Sequence, residues 1–187
     1  MKRTKYASLA ALTAVGLAGT AVAQTRSSVP AAQNQTIVTA EAARGTASQN
    51  RSTEFLLDAL RASLAEAQMG DLAAQRGREA RVRDYGARLK RDHTELATEL
   101  GRLLQPLNVT VPEAPSAEEL SHHAALARLS AEEFDAAFAQ TMIWSHTEAI
   151  EKYGAQTHAN PDKALSDFAS KALPMLRGHL AAAESLR

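Results

Sequence analysis

The sequence contains no cysteine. No disulfide can form, and the lipid anchor that bacterial exported proteins carry on a cysteine at the cleavage site is excluded. The folded part must hold by packing alone. Aromatic residues are few, with one Trp, three Tyr and four Phe, while alanine is abundant, a balance that suits closely packed helices. No segment alternates apolar and polar residues with period two, so no sheet is expected. There is no Gly-rich phosphate loop, no serine nucleophile elbow and no thiol chemistry. Past the first two dozen residues, no apolar run approaches the roughly 20 residues of a membrane span.

What is present begins with an address. Lys2, Arg3 and Lys5 precede an apolar run over residues 7–18, and Ala21-Val22-Ala23 follows before Gln24. That order predicts a bacterial secretory signal over residues 1–23, cleaved near Ala23. The run is too short to serve as a stable span. The expected location is the periplasm or the exterior, with attachment to the outer membrane as a further option. Taking those three cations from 21 basic and 21 acidic residues leaves a net charge of −3. A mildly acidic chain without a basic patch argues against nucleic acid as a partner. Another envelope protein or a second copy is left as the partner class. Residues 24–51, rich in Ser, Thr, Gln, Asn and Ala, read as a disordered leader, with a short helix near 39–44 as the alternative.

The folded domain is expected over 52–187, in four long helices. Ser52 is placed to cap the first. Phe55, Ala59, Ala62, Glu66, Met69 and Ala73 then recur at steps of four and three, an apolar stripe with one carboxylate in it. Gly77 marks a tight turn. The second helix, about 79–104, carries Val82, Tyr85, Leu89, His93, Leu96, Leu100 and Leu103 and ends at Pro106. A long connection follows, with Pro112 and Pro115. Within it Ser116-Ala-Glu-Glu119 is a capping box predicting a short helix to about Leu129. Ser130-Ala-Glu-Glu133 is a second capping box and opens the third helix, with Phe134, Phe138, Met142, His146, Ala149 and Tyr153 on one side. Asn160-Pro161-Asp162 reads as cap, N1 proline and first-turn acid of the fourth helix. Its stripe is Leu165, Phe168, Ala172, Met175, His179, Ala183 and Leu186, with Pro174 expected to kink it.

This pattern predicts an all-α, ferritin-like four-helix bundle with a long connection containing a short helix between helices two and three. The alternative topology is up-down-up-down with a decorated loop.

Each stripe carries one ionisable residue: Glu66, His93, His146 and His179. At 1.5 Å rise each sits roughly 17–27 Å from its tight turn, near mid-bundle. One carboxylate and three imidazoles converging on an axis form a candidate site for one transition-metal ion, Fe, Mn, Zn or Cu. The competing reading is a buried polar network that fixes helix register. A carboxylate-bridged di-iron site is disfavoured. It needs Glu-x-x-His on two helices, and the residues three before the histidines are Lys90, Ile143 and Leu176. Asp92 points about 100° away from His93 and is expected at the rim. Asp135 reads as a helix N-terminal acid or a partner of the site. No catalytic residue or organic cofactor site is indicated.

Taken together, several short motifs resemble the bacterial domain-of-unknown-function family 4142, whose members are often described as putative outer membrane proteins. They are Ala65-Glu66 with Gly70 and Leu72-Ala73, then Asp92-His93. Phe134-Asp135 with His146 follows, then Leu173-Pro174 with His179-Leu180. The resemblance covers about 53–186. It implies a ferritin-like all-α domain exported to the cell envelope, and no activity. Phe138 stands where the family usually has Tyr, and the segment between Leu129 and Phe134 is shorter than usual. Two functions are open: a non-enzymatic envelope or stress-related protein with a structural Glu/His core, or a metal-binding and redox-active protein.

Overall fold

The computed structural model describes the backbone of residues 31–159 and 162–187, and the side chains of 39, 41–158 and 162–187. The expected signal, residues 1–23, and the leader residues 24–30 lie outside the described residues. Residues 39–187 form one compact unit, and the packing below is that of this unit.

Five α-helices are described: α1 (Ala31–Arg76), α2 (Ala80–Leu104), α3 (Ala117–Ala127), α4 (Ala131–Ala159) and α5 (Lys163–Glu184). A 3₁₀ turn at Gln105–Leu107 follows α2. No strand occurs among the described residues. The protein is all-α, with the connecting helix where the capping box Ser116/Glu119 places it.

Two boundaries differ from expectation. The first helix does not start near Ser52 but runs from Ala31. Residues 41–47, 49 and 50 along it are exposed, so this stretch follows from alanine-rich helix propensity rather than from an apolar face. The cap of α5 is Asp162, not Asn160: its carboxylate accepts from Ala164 N at 2.9 Å and Leu165 N at 3.3 Å. Asp162 is two positions nearer the first buried residue, Leu165, and its charge suits the positive helix end. Pro174 lies inside α5 on an exposed position, where water can bond the carbonyl that its missing N–H leaves unpaired.

The helix order follows from contacts at the ends. Asp135 on α4 accepts from Arg78 N at 3.0 Å and Glu79 N at 2.9 Å, tying the α1–α2 turn to the start of α4. Arg76 donates to Ala127 O and Leu129 O. Its guanidinium also lies over the Phe134 ring at 5.4 Å. At the other end Phe55 meets Tyr153 edge-on at 5.1 Å, so α1 and α4 are antiparallel. Arg81 reaches Ser185 O at 2.8 Å and Lys171 reaches Glu99 at 2.9 Å, so α2 and α5 are antiparallel. Around the core the order is α1, α2, α5, α4. Helices α2 and α4 therefore run parallel at opposite corners, and the connection between them must travel the length of the bundle. It does: Leu107, Val109 and Val111 pack at the Leu104–Tyr153 end, and Leu126 packs at the Phe134 end. The connection thus crosses the length of the bundle, and the up-down-up-down alternative is not the one realised.

One contact sets the register of α1 against α2. A Cβ on Gly70 would lie 2.6 Å from Gly86 O and from Lys90 N, and a Cβ on Gly86 would lie 2.6 Å from Gly70 O. Only glycine lets the two backbones meet there. The meeting point is one turn from Glu66 and two from His93, so it brings those residues opposite each other.

The apolar core comes in two clusters. One gathers Leu56, Leu60, Leu100, Leu104, Phe168 and Leu176. The other gathers Met69, Tyr85, Leu89, Phe134, Phe138 and Met142. Between them lie the buried polar residues Glu66, His93, His146 and His179.

Candidate metal centre

Burying four ionisable groups at one level is costly unless each finds a partner. Glu66 (α1), His93 (α2), His146 (α4) and His179 (α5) are exposed by 7% at most, and the last two by 0%. The three imidazole rings form a near-equilateral triangle, with centroids 5.3–5.5 Å apart.

Glu66 is the hub. Its Oε1 accepts from Ser145 Oγ at 2.7 Å. Its Oε2 lies 2.8 Å from His93 Nε2 and 3.6 Å from His146 Nε2. The His93 contact is within hydrogen-bonding distance and helps hold the carboxylate in its charged form, whereas the His146 contact is too long for a hydrogen bond. His146 Nδ1 stands 2.9 Å from Met142 O. A carbonyl can only accept, so neutral His146 carries its proton on Nδ1 and presents the lone pair of Nε2 toward Glu66. One carboxylate oxygen and two imidazole nitrogens thus gather within 4.8 Å of one another, while Ser145 and Met142 hold the opposite atoms of Glu66 and His146.

Two ligands at about 2.1 Å from a common ion lie roughly 3.0–3.5 Å apart in octahedral or tetrahedral geometry. The separations of 2.8 and 3.6 Å bracket that range. A metal-bound histidine commonly donates its other N–H to a backbone carbonyl, which is what His146 does. The donor set suits Fe, Mn, Zn or Cu.

His179 shares the ring cluster but turns elsewhere. Its Nε2 lies 3.1 Å from Asp92 Oδ2, and Arg91 and Arg88 engage the same carboxylate at 2.7 and 3.5 Å. The structure therefore brings three of the four sequence candidates together as donors and sets the fourth behind them. Asp92 is at the rim, as its angular position indicates, yet it reaches α5. Ser145 escaped the sequence reading altogether; its only signal is adjacency to His146 on the flank facing α1. Asp135 serves the α1–α2 turn and not the site. Tyr85 covers the His179 ring at 5.8 Å, and its hydroxyl is buried without a hydrogen-bond partner.

Electrostatics follow from this geometry. Burial pushes the Glu66 carboxyl up, but His146 and His93, together with the Ser145 hydroxyl, outweigh it and hold Glu66 well below the ordinary carboxylate range. Burial depresses His146, against the pull of Glu66. Burial, then His93, His146 and Arg88, depress His179 to about 4, with Asp92 opposing. Burial also raises the Tyr85 hydroxyl far above its usual value.

On the α1–α4 side the site opens on a groove of about 600 Å³, roofed by α3, whose lining includes Glu66, His93 and Trp144. Among the described residues no helix is long and apolar enough to cross a membrane.

Comparison with solved structures finds the same fold in a crystal structure of a DUF305 fragment from Deinococcus radiodurans. It is 17% identical, with a TM-score of 0.63, covering 72% of this chain and 93% of that one. At that identity the likeness speaks to fold alone. No curated protein matches. A family profile, Domain of unknown function (DUF4142), matches residues 37–186. With that match over most of its length, the chain belongs to the DUF4142 family.

Proposed function

We propose that this chain is an exported bundle protein of the bacterial cell envelope, of ferritin-like topology. In this reading Glu66, His93 and His146 bind one divalent transition-metal ion in its core. The observation that carries the reading is the convergence of one carboxylate oxygen of Glu66 and one ring nitrogen each of His93 and His146, buried and within 4.8 Å of one another. His146 Nε2 is buried with no hydrogen-bond partner, and a network built for structure would not leave a buried polar atom so, at a cost of about 1–3 kcal/mol. Three protein donors leave further coordination positions for water or another small ligand. His179 and Asp92 act as an outer layer that packs and orients the rings. Export is supported by the N-terminal pattern of cations, apolar run and Ala-Val-Ala.

The test is metal analysis of untagged protein, isolated from the periplasm and then exposed to Fe, Mn, Zn and Cu in turn. About one ion per chain is expected for at least one metal, retained through desalting. His146→Ala should lose it while circular dichroism stays unchanged. Protein that stays empty with every metal ends this reading. An intact mass beginning at Gln24 is the expected sign of export.

A further inference from the structure

A buried ion needs a way in, and the groove beside Glu66 carries more acid than base. Its wall carries four carboxylates, Asp58, Glu118, Glu119 and Glu148, against two cations, Arg61 and Lys152. The cations are already taken: Arg61 pairs with Asp58 at 3.2 Å and Lys152 with Glu148 at 3.4 Å. Glu119 caps its own helix through Ser116 N. The surplus negative charge therefore sits on α3. There Glu118 and His122, four residues apart, share one helix face and both line the groove. Glu66 and His93 line the same groove, and His93 Nδ1 is buried with no hydrogen-bond partner. Donor atoms at the bottom and a Glu/His pair on the roof thus bound one space.

We infer that this groove is the loading route of the core site, and that Glu118 and His122 capture a divalent cation before it passes to Glu66 and His93. The inference rests on the metal reading above and adds to it a path and a class of cargo, the hydrated divalent cation. An acidic funnel concentrates cations at its mouth and speeds their arrival. Capture on α3 also gives the crossover connection a task besides linking α2 to α4.

Stopped-flow mixing of apo protein with Co²⁺, followed by the visible absorption of the bound ion, tests this. The Glu118→Ala/His122→Ala double variant leaves the core donors untouched. It should load about tenfold more slowly at low salt, a gap that closes as salt rises, with the same final occupancy. Thr141→Phe places a ring in the groove wall. It should slow both loading and removal by EDTA while the equilibrium affinity stays the same. Loading of both variants at the wild-type rate, with occupancy still abolished by Glu66→Ala, overturns the route and leaves the site standing. If Thr141→Phe fails to fold, the double variant on exposed α3 positions decides alone. No Co²⁺ uptake by wild type overturns route and site together.

Discussion

Replacing Glu66 by Gln separates a metal centre from a structural ion pair, because it removes charge and keeps shape. The amide oxygen can still accept from Ser145, as Oε1 does at 2.7 Å. What changes is Oε2. If His93 and His146 were both protonated, contacts at 2.8 and 3.6 Å would give about 6 and 5 kcal/mol of attraction at an effective dielectric of 20. Against that stands the desolvation of each buried ion, several kcal/mol apiece. Because His146 is held toward its neutral form, much of the attraction is absent and the two sides nearly cancel. Metal-free Glu66→Gln is therefore expected to unfold within about 1 kcal/mol of wild type in urea, followed by circular dichroism. With metal the two part. At a free-ion concentration 100 times its Kd, wild type gains about 2.7 kcal/mol. The variant, with its affinity down by more than about 100-fold, gains almost nothing. A loss above roughly 3 kcal/mol in the metal-free protein, with metal response unchanged, would refute the reasoning and make Glu66 the anchor of a buried ion pair.

Three further outcomes follow from the same geometry. His179 has a folded pKa of about 4, below its ordinary 6.5, so between those values the unfolded chain binds the extra proton. Stability of the metal-free protein should fall as pH drops from 6.5 to 4, by about 2.5 kcal/mol, and His179→Gln should flatten that slope in urea midpoints. Gly86→Ala drives a Cβ to 2.6 Å from Gly70 O; forcing α1 and α2 apart should cost about 3 kcal/mol and weaken metal binding in the same titration. Asp135→Ala leaves Arg78 N and Glu79 N without their acceptor, so thermal unfolding should show a loss of about 1 kcal/mol with metal affinity unaltered.

The helices and most of their inward faces are legible because apolar spacing is a local signal that burial then obeys; on α1, however, Ala62 of the stripe is exposed and Leu56, Leu60 and Ser63 take buried positions beside it. Val82, Leu89, Phe134, Phe138, Leu165 and Ala183 sit where their stripes place them. The level of the four polar residues was legible too, since rise per residue fixes height. What spacing along one helix cannot convey is the angle between helices. Hence His179 turning to Asp92, and Ser145 reaching Glu66, emerge only with the neighbours in place. The choice between crossover and up-down-up-down likewise depends on which ends meet, and those meetings are made by Arg76, Asp135 and Arg81 across more than 50 residues of sequence. Helix over residues 41–50 carries no such signal, because its side chains are exposed apart from half-buried Ser48.

The polar layer also divides the oil. With Glu66 and the three histidines between the two apolar clusters, a cavity opened at Leu100 and one opened at Phe138 share no packing neighbours. Their costs should then sum as if they belonged to two small proteins on one set of helices. In such a bundle the middle is the plane across which the halves communicate least through packing. An ion held there by α1, α2 and α4 would act as a rivet, turning two loosely coupled cores into a single cooperative one.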